Sequence, residues 1–133
     1  MAKLGITAAF ASYGAKLKNQ QWSVSAWLPD GSLVVSIWDH HYRKSEPGTM
    51  EFADSLNRWS GHGNDEFRRN LAQAFLTKAK VRLVIVKTTE ANRVQAGEDA
   101  SEIKNKDFFI RDDLIGEVAE LNGNDYVFRF HRA

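Results

Sequence analysis

Residues 22–38 read WSVSAWLPDGSLVVSIW, and this stretch decides the fold class. Two runs rich in β-branched and aromatic residues, 22–28 and 33–38, lie on either side of Asp30 and Gly31. Alternation of apolar and polar residues favours strands, and an Asp-Gly pair between two such runs is typical of a hairpin turn. The stretch therefore predicts an antiparallel β-hairpin.

The predicted hairpin has two unlike faces. With the turn centred on Asp-Gly, residue 28 lies opposite residue 33, and a four-residue loop gives the same pairing. One face is then apolar, and the other combines large aromatic with small hydroxyl side chains, namely Ser23, Ser25, Trp27, Ser36 and Trp38. This predicts an aromatic groove with a serine floor, which can stack a planar ring and hydrogen-bond its edge. The alternative is that a helix covers this face and both tryptophans belong to the core.

The segments outside the hairpin predict further helices and strands. Helical spacing of apolar residues indicates one helix within 4–17 and another of about 15 residues, capped by Asn64 or Asp65. Residues 49–59 fit either a helix or a strand. Strands are predicted at 81–87, 108–111, 115–121 and 126–132. Residues 90–106 are polar and charged, with a loop predicted at Gly97-Glu98-Asp99. We therefore expect one α+β domain, residues 1–133, with two or three helices and a mainly antiparallel, curled sheet of about five strands.

Composition bounds the class of protein. A chain of 133 residues is long enough for one domain with its own core. It contains no cysteine, which excludes disulfide scaffolds, cysteine-based zinc sites and thiol catalysis. No apolar run reaches the roughly 18 residues of a membrane span, and the first residues lack the apolar core of a signal peptide. We expect a cytoplasmic protein without a membrane partner.

Charge is distributed unevenly along the chain. Residues 1–89 carry 12 Lys and Arg against 7 Asp and Glu, whereas residues 90–133 carry 6 against 10. Basic residues interleaved with aromatic ones are typical of a nucleic-acid surface. The candidate contacts outside the groove are Lys16, Lys18, Tyr42, Arg43, Lys44, Arg58, Trp59, Arg68 and Arg69. The leading hypothesis is a non-catalytic nucleic-acid-binding domain, with DNA favoured over RNA and with a groove tryptophan stacked on a base.

A second hypothesis is a small metal-dependent nuclease or hydrolase. In a strand, Asp39 and His41 share a face, and His62 or His131 completes a set of ligands. No complete nuclease, phosphoesterase or phosphate-loop motif accompanies them. The sequence therefore assigns no catalytic residue, no metal ligand and no cofactor.

A third hypothesis is a protein-interaction module. Trp59 and the acidic segment 98–113 would then face a protein partner. The same acidic segment is also suited to imitate the charge of a nucleic acid and dock to a basic protein.

Residues 10–26 read FASYGAKLKNQQWSVSA, and they are followed by Asp30, Gly31 and a predicted strand that ends in Trp38. This pattern of about 30 residues resembles small bacterial domains associated with HNH-type restriction endonucleases. The resemblance implies a DNA-recognition or accessory module in a restriction or phage-defence context. The chain has no complete HNH motif, so the resemblance implies no catalytic residues.

Overall fold

The computed structural model describes residues 5–98, 103 and 105–133. The helices are α1 (Ile6–Ser12), α2 (His62–Thr77) and α3 (Ala91–Gln95). The strands are β1 (Ser25–Trp27), β2 (Leu33–Trp38), β3 (Tyr42–Arg43), β4 (Thr49–Ser55), β5 (Val81–Lys87), β6 (Asp107–Ile110), β7 (Leu114–Asn122) and β8 (Asp125–Arg132). Short 3-10 turns cover Asp39–His41 and Leu56–Arg58.

The described strands form one mixed sheet. Their order is β1-β2-β5-β7-β8-β4-β3, and β6 pairs with β5 beside this path. β2 and β5 are parallel, and the other pairs are antiparallel. The α+β class is therefore confirmed, but the expectation of about five strands is wrong because the described sheet has eight.

Two strands account for much of the difference in strand number. β3 has only two residues, too few to leave an alternating pattern. β4 arises from the segment whose sequence fits a helix or a strand. Tertiary pairing decides its conformation, because β4 pairs with β8 along its whole length and places Phe52 opposite Phe128 in the core.

The first hairpin forms, but its predicted register is wrong by one residue. Trp27, not Leu28, pairs with Leu33, which leaves a five-residue loop. The Asp30 carboxylate accepts a hydrogen bond from the backbone N–H of Ser32 at 2.8 Å, and Gly31 adopts a φ of +89°. Because strand side chains alternate between faces, this one-residue change moves the whole of β1 to the other face relative to β2.

The sheet is packed on both faces. On one face, Phe67, Leu71 and Ala74 of α2 join the larger core cluster together with Leu33 and Val35. On the other face, α1 packs in a second cluster against Val34, Val84 and Val86. Trp27 contacts the first cluster and Trp38 the second. The predicted groove between these tryptophans is therefore wrong, because they lie on opposite faces of the sheet.

Helix α2 begins earlier than its sequence predicts. Neither Asn64 nor Asp65 caps it; the helix starts at His62, after Gly61. Asn64 is buried and donates from Nδ2 to the carbonyl of Leu56 at 3.0 Å. It thereby connects α2 to the end of β4. Helix α3 lies in the polar and charged segment 90–106, just before the loop predicted at residues 97–99.

The longest described helix is α2, with 16 residues. Within the described ranges, no helix has both the length and the apolar character needed to cross a membrane.

Candidate functional site

A cavity of about 360 Å³ opens where several elements end beside one another. Three of the four tryptophans, Trp22, Trp38 and Trp59, line it. Its remaining walls come from the start of α2, the end of β5, α3 and Tyr126 of β8. We call this space the tryptophan cavity.

The three tryptophans converge from separate parts of the chain. Trp38 ends β2, Trp59 follows the 3-10 turn after β4, and Trp22 lies before β1. The approach of the Trp22 segment to α2 requires a glycine. A Cβ atom added at Gly63 would lie 2.3 Å from the carbonyl oxygen of Trp22, far inside contact distance. Gly63 therefore allows this wall of the cavity to form.

Asp54, at the end of β4, connects the polar groups of the tryptophan cavity. Arg58 donates to it from Nε at 2.9 and 3.0 Å, and its second guanidinium nitrogen lies 2.8 Å from Oδ2. The Tyr126 hydroxyl donates to Oδ2 at 3.4 Å, and Nδ1 of His41 lies 3.5 Å from the same oxygen. Only 8% of the Asp54 side chain and 6% of the His41 side chain are exposed. A buried carboxylate is thus compensated by a guanidinium and two further polar groups.

Helix α3 is fixed to this polar cluster. Arg58 donates from a terminal nitrogen to the carbonyl of Val94 at 2.8 Å. The Gln95 side chain contacts Nε2 of both His40 and His41. The position of α3, and with it one wall of the cavity, therefore depends on Arg58 and His41.

Burial dominates the acid–base properties of the cluster. It lowers the pKa of His41, because the imidazolium loses hydration, although the Asp54 carboxylate acts in the opposite direction. Burial, followed by the nearby Asp54 charge, raises the pKa of Tyr126 well above its ordinary value. Both side chains are therefore neutral at pH 7.

We expect the protein to lose stability as the pH falls from 7.5 to 5.5, with His41 as one cause. Its depressed pKa means that the unfolded chain binds a proton in this range that the folded chain does not. Stability is retained above the ordinary histidine value of 6.5 and falls below it. One such proton contributes at most about 1.4 kcal/mol per pH unit. Chemical denaturation measures the free energy of unfolding at pH 7.5 and at pH 5.5. The difference between the two values should be smaller for His41→Gln than for the unmodified protein. An equal difference in both proteins would show that other groups cause the pH dependence.

The indole nitrogen of Trp59 is an unused donor at the tryptophan cavity. Its Nε1 atom is buried and has no hydrogen-bond partner within the described part of the chain. A buried N–H without an acceptor costs free energy. Because this atom is closed to solvent, a ligand in the cavity contacts other atoms of the Trp59 ring.

A second cavity of about 210 Å³ lies beside β1 and α2. Three cations, Lys16, Lys18 and Arg69, line it together with Glu66 and Trp27. Asn70 and Ser25 complete the wall, where Trp27 donates from Nε1 to Asn70 and Asn70 donates to Ser25, both at 2.9 Å. We call this space the basic cavity.

The structure divides the predicted nucleic-acid contacts between these two places. The tryptophan cavity receives Ser23, Ser36, Trp38, Arg58 and Trp59. The basic cavity receives Lys16, Lys18, Ser25, Trp27 and Arg69. The two sets are neighbours, because residues 20–24 line one cavity and residues 25–27 line the other.

Four predicted contacts line neither cavity. Tyr42, Arg43 and Lys44 belong to or follow β3, at the far edge of the sheet, and Arg43 pairs with Glu51 at 2.9 Å. Arg68 donates to the side-chain oxygens of Asn64 and Asn124, both at 2.8 Å. These bonds give Arg68 a structural role in holding α2 to the neighbouring loops.

The ligand set of the hydrolase hypothesis does not assemble around Asp39. His41 and His62 both line the tryptophan cavity, but Asp39 does not. The reason is local, since Asp39–His41 form a 3-10 turn and not the strand that would place Asp39 and His41 on one face. Among the described residues, no group of three or more His, Asp or Glu side chains is arranged to hold a metal ion.

The acidic segment 98–113 is described only in part, because residues 99–102 and 104 lie outside the described ranges. Glu98 pairs with Arg93 at 2.9 Å, and Asp113 pairs with Arg111 at 3.0 Å. Trp59, predicted to share a protein-binding surface with this segment, is half-buried at the tryptophan cavity.

Sequence reasoning missed several residues of the tryptophan cavity and its polar cluster, among them Trp22, Asp54 and Gln95. Trp22 belongs to the hairpin stretch but was not counted as a groove residue. Asp54 lies four residues before Arg58, a spacing that favours ion pairs in helical turns and that was available in the sequence. Gln95 lies in the polar segment 90–106, where no sequence pattern distinguishes it from its neighbours.

Comparisons of this chain with protein-family models, with curated proteins and with solved structures find no match. The assignment of the candidate site therefore rests on the geometry of this structure alone. The resemblance to modules associated with HNH-type restriction endonucleases stays a prediction.

Proposed function

We propose that this protein is a non-catalytic nucleic-acid-binding domain that accepts one unstacked base in the tryptophan cavity. The observation that carries the proposal is the convergence of Trp22, Trp38 and Trp59 around one space of about 360 Å³. That volume is at the lower end of the range for ligand pockets, about 300–1,000 Å³, and suits a single ring system better than a large cofactor.

The chemistry of the cavity fits a base. Aromatic side chains stack on the face of any base, and polar groups at the margin bond to its edge. Ser36 adds a hydroxyl to the lining.

The basic cavity supplies the charge that a nucleic-acid strand requires. Lys16, Lys18 and Arg69 are exposed, and the ion pairs of the described residues engage none of them. Phosphates next to a base held in the tryptophan cavity would come within reach of these side chains. DNA in a restriction or defence context is the partner that the resemblance implies.

The hydrolase hypothesis is less well supported by the geometry. His41 is the only side chain of the predicted metal set that is both buried and paired with a carboxylate. Its Nε2 atom already contacts Gln95, and Asp54 is occupied by Arg58. A general base needs a free nitrogen directed at the substrate.

We expect Trp22→Ala to weaken binding to single-stranded DNA about 5- to 150-fold, the effect of losing one stacked base. Trp22 packs against neither core cluster and its ring contacts His62, so the fold should be retained. Fluorescence anisotropy with a labelled twelve-nucleotide strand of mixed sequence measures the dissociation constant. Three phosphate contacts predict a log–log dependence on salt with a slope of about −2 for single strands.

Tyr42→Ala is the matched control. Tyr42 is an aromatic residue that is 46% exposed on β3 and lines neither cavity, so its removal should leave affinity unchanged. Absence of binding by the unmodified protein at low salt would refute the proposed function. Equal affinities for the Trp22 variant and the unmodified protein would exclude the tryptophan cavity as the base site.

A further inference from the structure

The basic cavity is small and cationic. Its volume of about 210 Å³ lies below the range of about 300–1,000 Å³ typical of pockets that enclose an organic ligand. Its charged lining residues are Lys16, Lys18, Arg69 and Glu66, which leaves a formal excess of two positive charges. The cavity is therefore suited to a small group that carries about two negative charges.

The two lysines are held on one side of their segment. Ala15 and Leu17 alternate with them, and both are buried at 6% exposure in the cluster that packs α1 against the sheet. Lys16 and Lys18 themselves are exposed, and no ion pair of the described residues engages them. Their backbone is thus anchored, while their ammonium groups remain accessible to a ligand.

The wall formed by β1 and α2 is fixed by hydrogen bonds. Asn70 accepts from Nε1 of Trp27 and donates to Ser25, both at 2.9 Å. Arg69, the residue before Asn70, is exposed and lines the same cavity. A guanidinium group with five N–H donors therefore shares this space with two ammonium groups.

The phosphates of a nucleic-acid strand differ in charge with their position. An internal phosphate is a diester with one negative charge. A terminal phosphate is a monoester, which carries about −1.5 to −2 charges at pH 7 and has three oxygens that accept hydrogen bonds. The monoester matches the charge excess of the basic cavity, whereas a diester would leave about one positive charge uncompensated.

We infer that the basic cavity binds the terminal phosphate of a nucleic-acid strand, with the base of the end nucleotide in the tryptophan cavity; this inference rests on the proposed function. Val24 lines the tryptophan cavity and Ser25 lines the basic cavity, so the two spaces adjoin along the chain. Lys16, Lys18 and Arg69 neutralise the phosphate and donate to its oxygens. On a strand with hydroxyl ends, the same cations meet only internal diesters.

The test compares three twelve-nucleotide DNA strands of one mixed sequence, with a 5′-phosphate, with a 3′-phosphate or with hydroxyl groups at both ends. Dissociation constants are measured by competition against one labelled strand at one salt concentration. We expect one of the two phosphorylated strands to bind about tenfold more tightly than the hydroxyl strand, the effect of one additional hydrogen bond between charged groups. An equal gain for both phosphorylated strands would reflect total charge alone and would refute the terminal site.

Lys16→Gln and Arg69→Gln should each reduce the preference for the phosphorylated end, because each removes a cation from the basic cavity. Lys44→Gln is the matched control, since Lys44 is exposed and lines neither cavity, and it should keep the full preference. If the three strands bind the unmodified protein equally, or if both cavity variants keep the preference, the terminal site is refuted while the proposed function stands. If the unmodified protein binds none of the strands, the proposed function itself fails.

Discussion

Replacing Arg58 with alanine is expected to lower the free energy of unfolding by about 3–5 kcal/mol, the usual cost of removing one partner of a buried ion pair. Asp54 would keep only its contacts with Tyr126 and His41, neither of which carries a compensating charge at pH 7. The bond from Arg58 to Val94 would also be lost, so α3 would lose part of its attachment. Urea denaturation followed by tryptophan fluorescence measures the change.

Arg93→Ala provides a matched comparison. Arg93 also pairs with two carboxylates, Glu90 at 2.8 Å and Glu98 at 2.9 Å. Its side chain is 37% exposed, against 11% for Arg58, so solvent screens these pairs and their loss should lower stability far less than the loss of the Arg58 pair. If Arg58→Ala and Arg93→Ala lower the free energy of unfolding by similar amounts, burial does not explain the contribution of the Arg58 pair to stability.

A second substitution distinguishes the destabilisation caused by the uncompensated Asp54 charge from that caused by lost packing of the Arg58 side chain. In the Arg58→Ala background, Asp54→Asn removes the uncompensated carboxylate and retains an oxygen that accepts from Tyr126. The double variant should therefore be more stable than Arg58→Ala alone. A further loss of stability would show that the charge of Asp54 has other compensation.

Much of the fold could be predicted from the sequence where one periodicity dominates a segment. Helical spacing predicts an inner face of Phe67, Leu71, Ala74 and Phe75 for α2. The first three are buried in the core, whereas Phe75 is 39% exposed. The apolar run 81–87 forms β5, which lies between β2 and β7. In these segments the local pattern and the tertiary environment agree.

The hairpin register could not be predicted from the same kind of pattern. Its outcome depended on whether the loop contains an even or an odd number of residues, and the Asp30 turn extends to Ser32, which makes the number odd. The error matters for function because the predicted groove required Trp27 and Trp38 on one face. The one-residue difference in register thus places Trp27 and Trp38 on opposite faces of the sheet.

The cavities themselves could not be predicted because their walls are distant in sequence. Trp22 and Trp59 line the same cavity although they lie far apart in sequence. Residue type and sequence neighbourhood still predicted part of the cavity lining. Trp38, Trp59 and Ser36 were selected as ligand contacts from residue type and neighbourhood, and all three line one cavity.

The contact between Trp22 and α2 makes Gly63 the most sensitive small residue of the tryptophan cavity. Alanine stabilises a helix interior by about 1 kcal/mol relative to glycine when nothing opposes its side chain. Here the added Cβ would lie 2.3 Å from the carbonyl oxygen of Trp22 and 3.6 Å from the Trp59 ring. The backbone of one segment must therefore move, which is far more costly than a side-chain adjustment.

We expect Gly63→Ala to lower the free energy of unfolding by about 1–3 kcal/mol, the range for inserting a methyl group into a filled space. The sign of the change in the free energy of unfolding distinguishes the two effects. Helix propensity alone predicts that Gly63→Ala is more stable, whereas the clash with Trp22 predicts that it is less stable. Binding to single-stranded DNA should weaken together with stability, because Trp22 and Ser23 would be displaced from the cavity wall. Gly5→Ala is the control, since a Cβ at that position meets no atom within 4 Å. A stable Gly63→Ala protein with unchanged affinity would mean that the Trp22 segment can move away from α2 at little cost, and that the wall it forms is not part of the binding site.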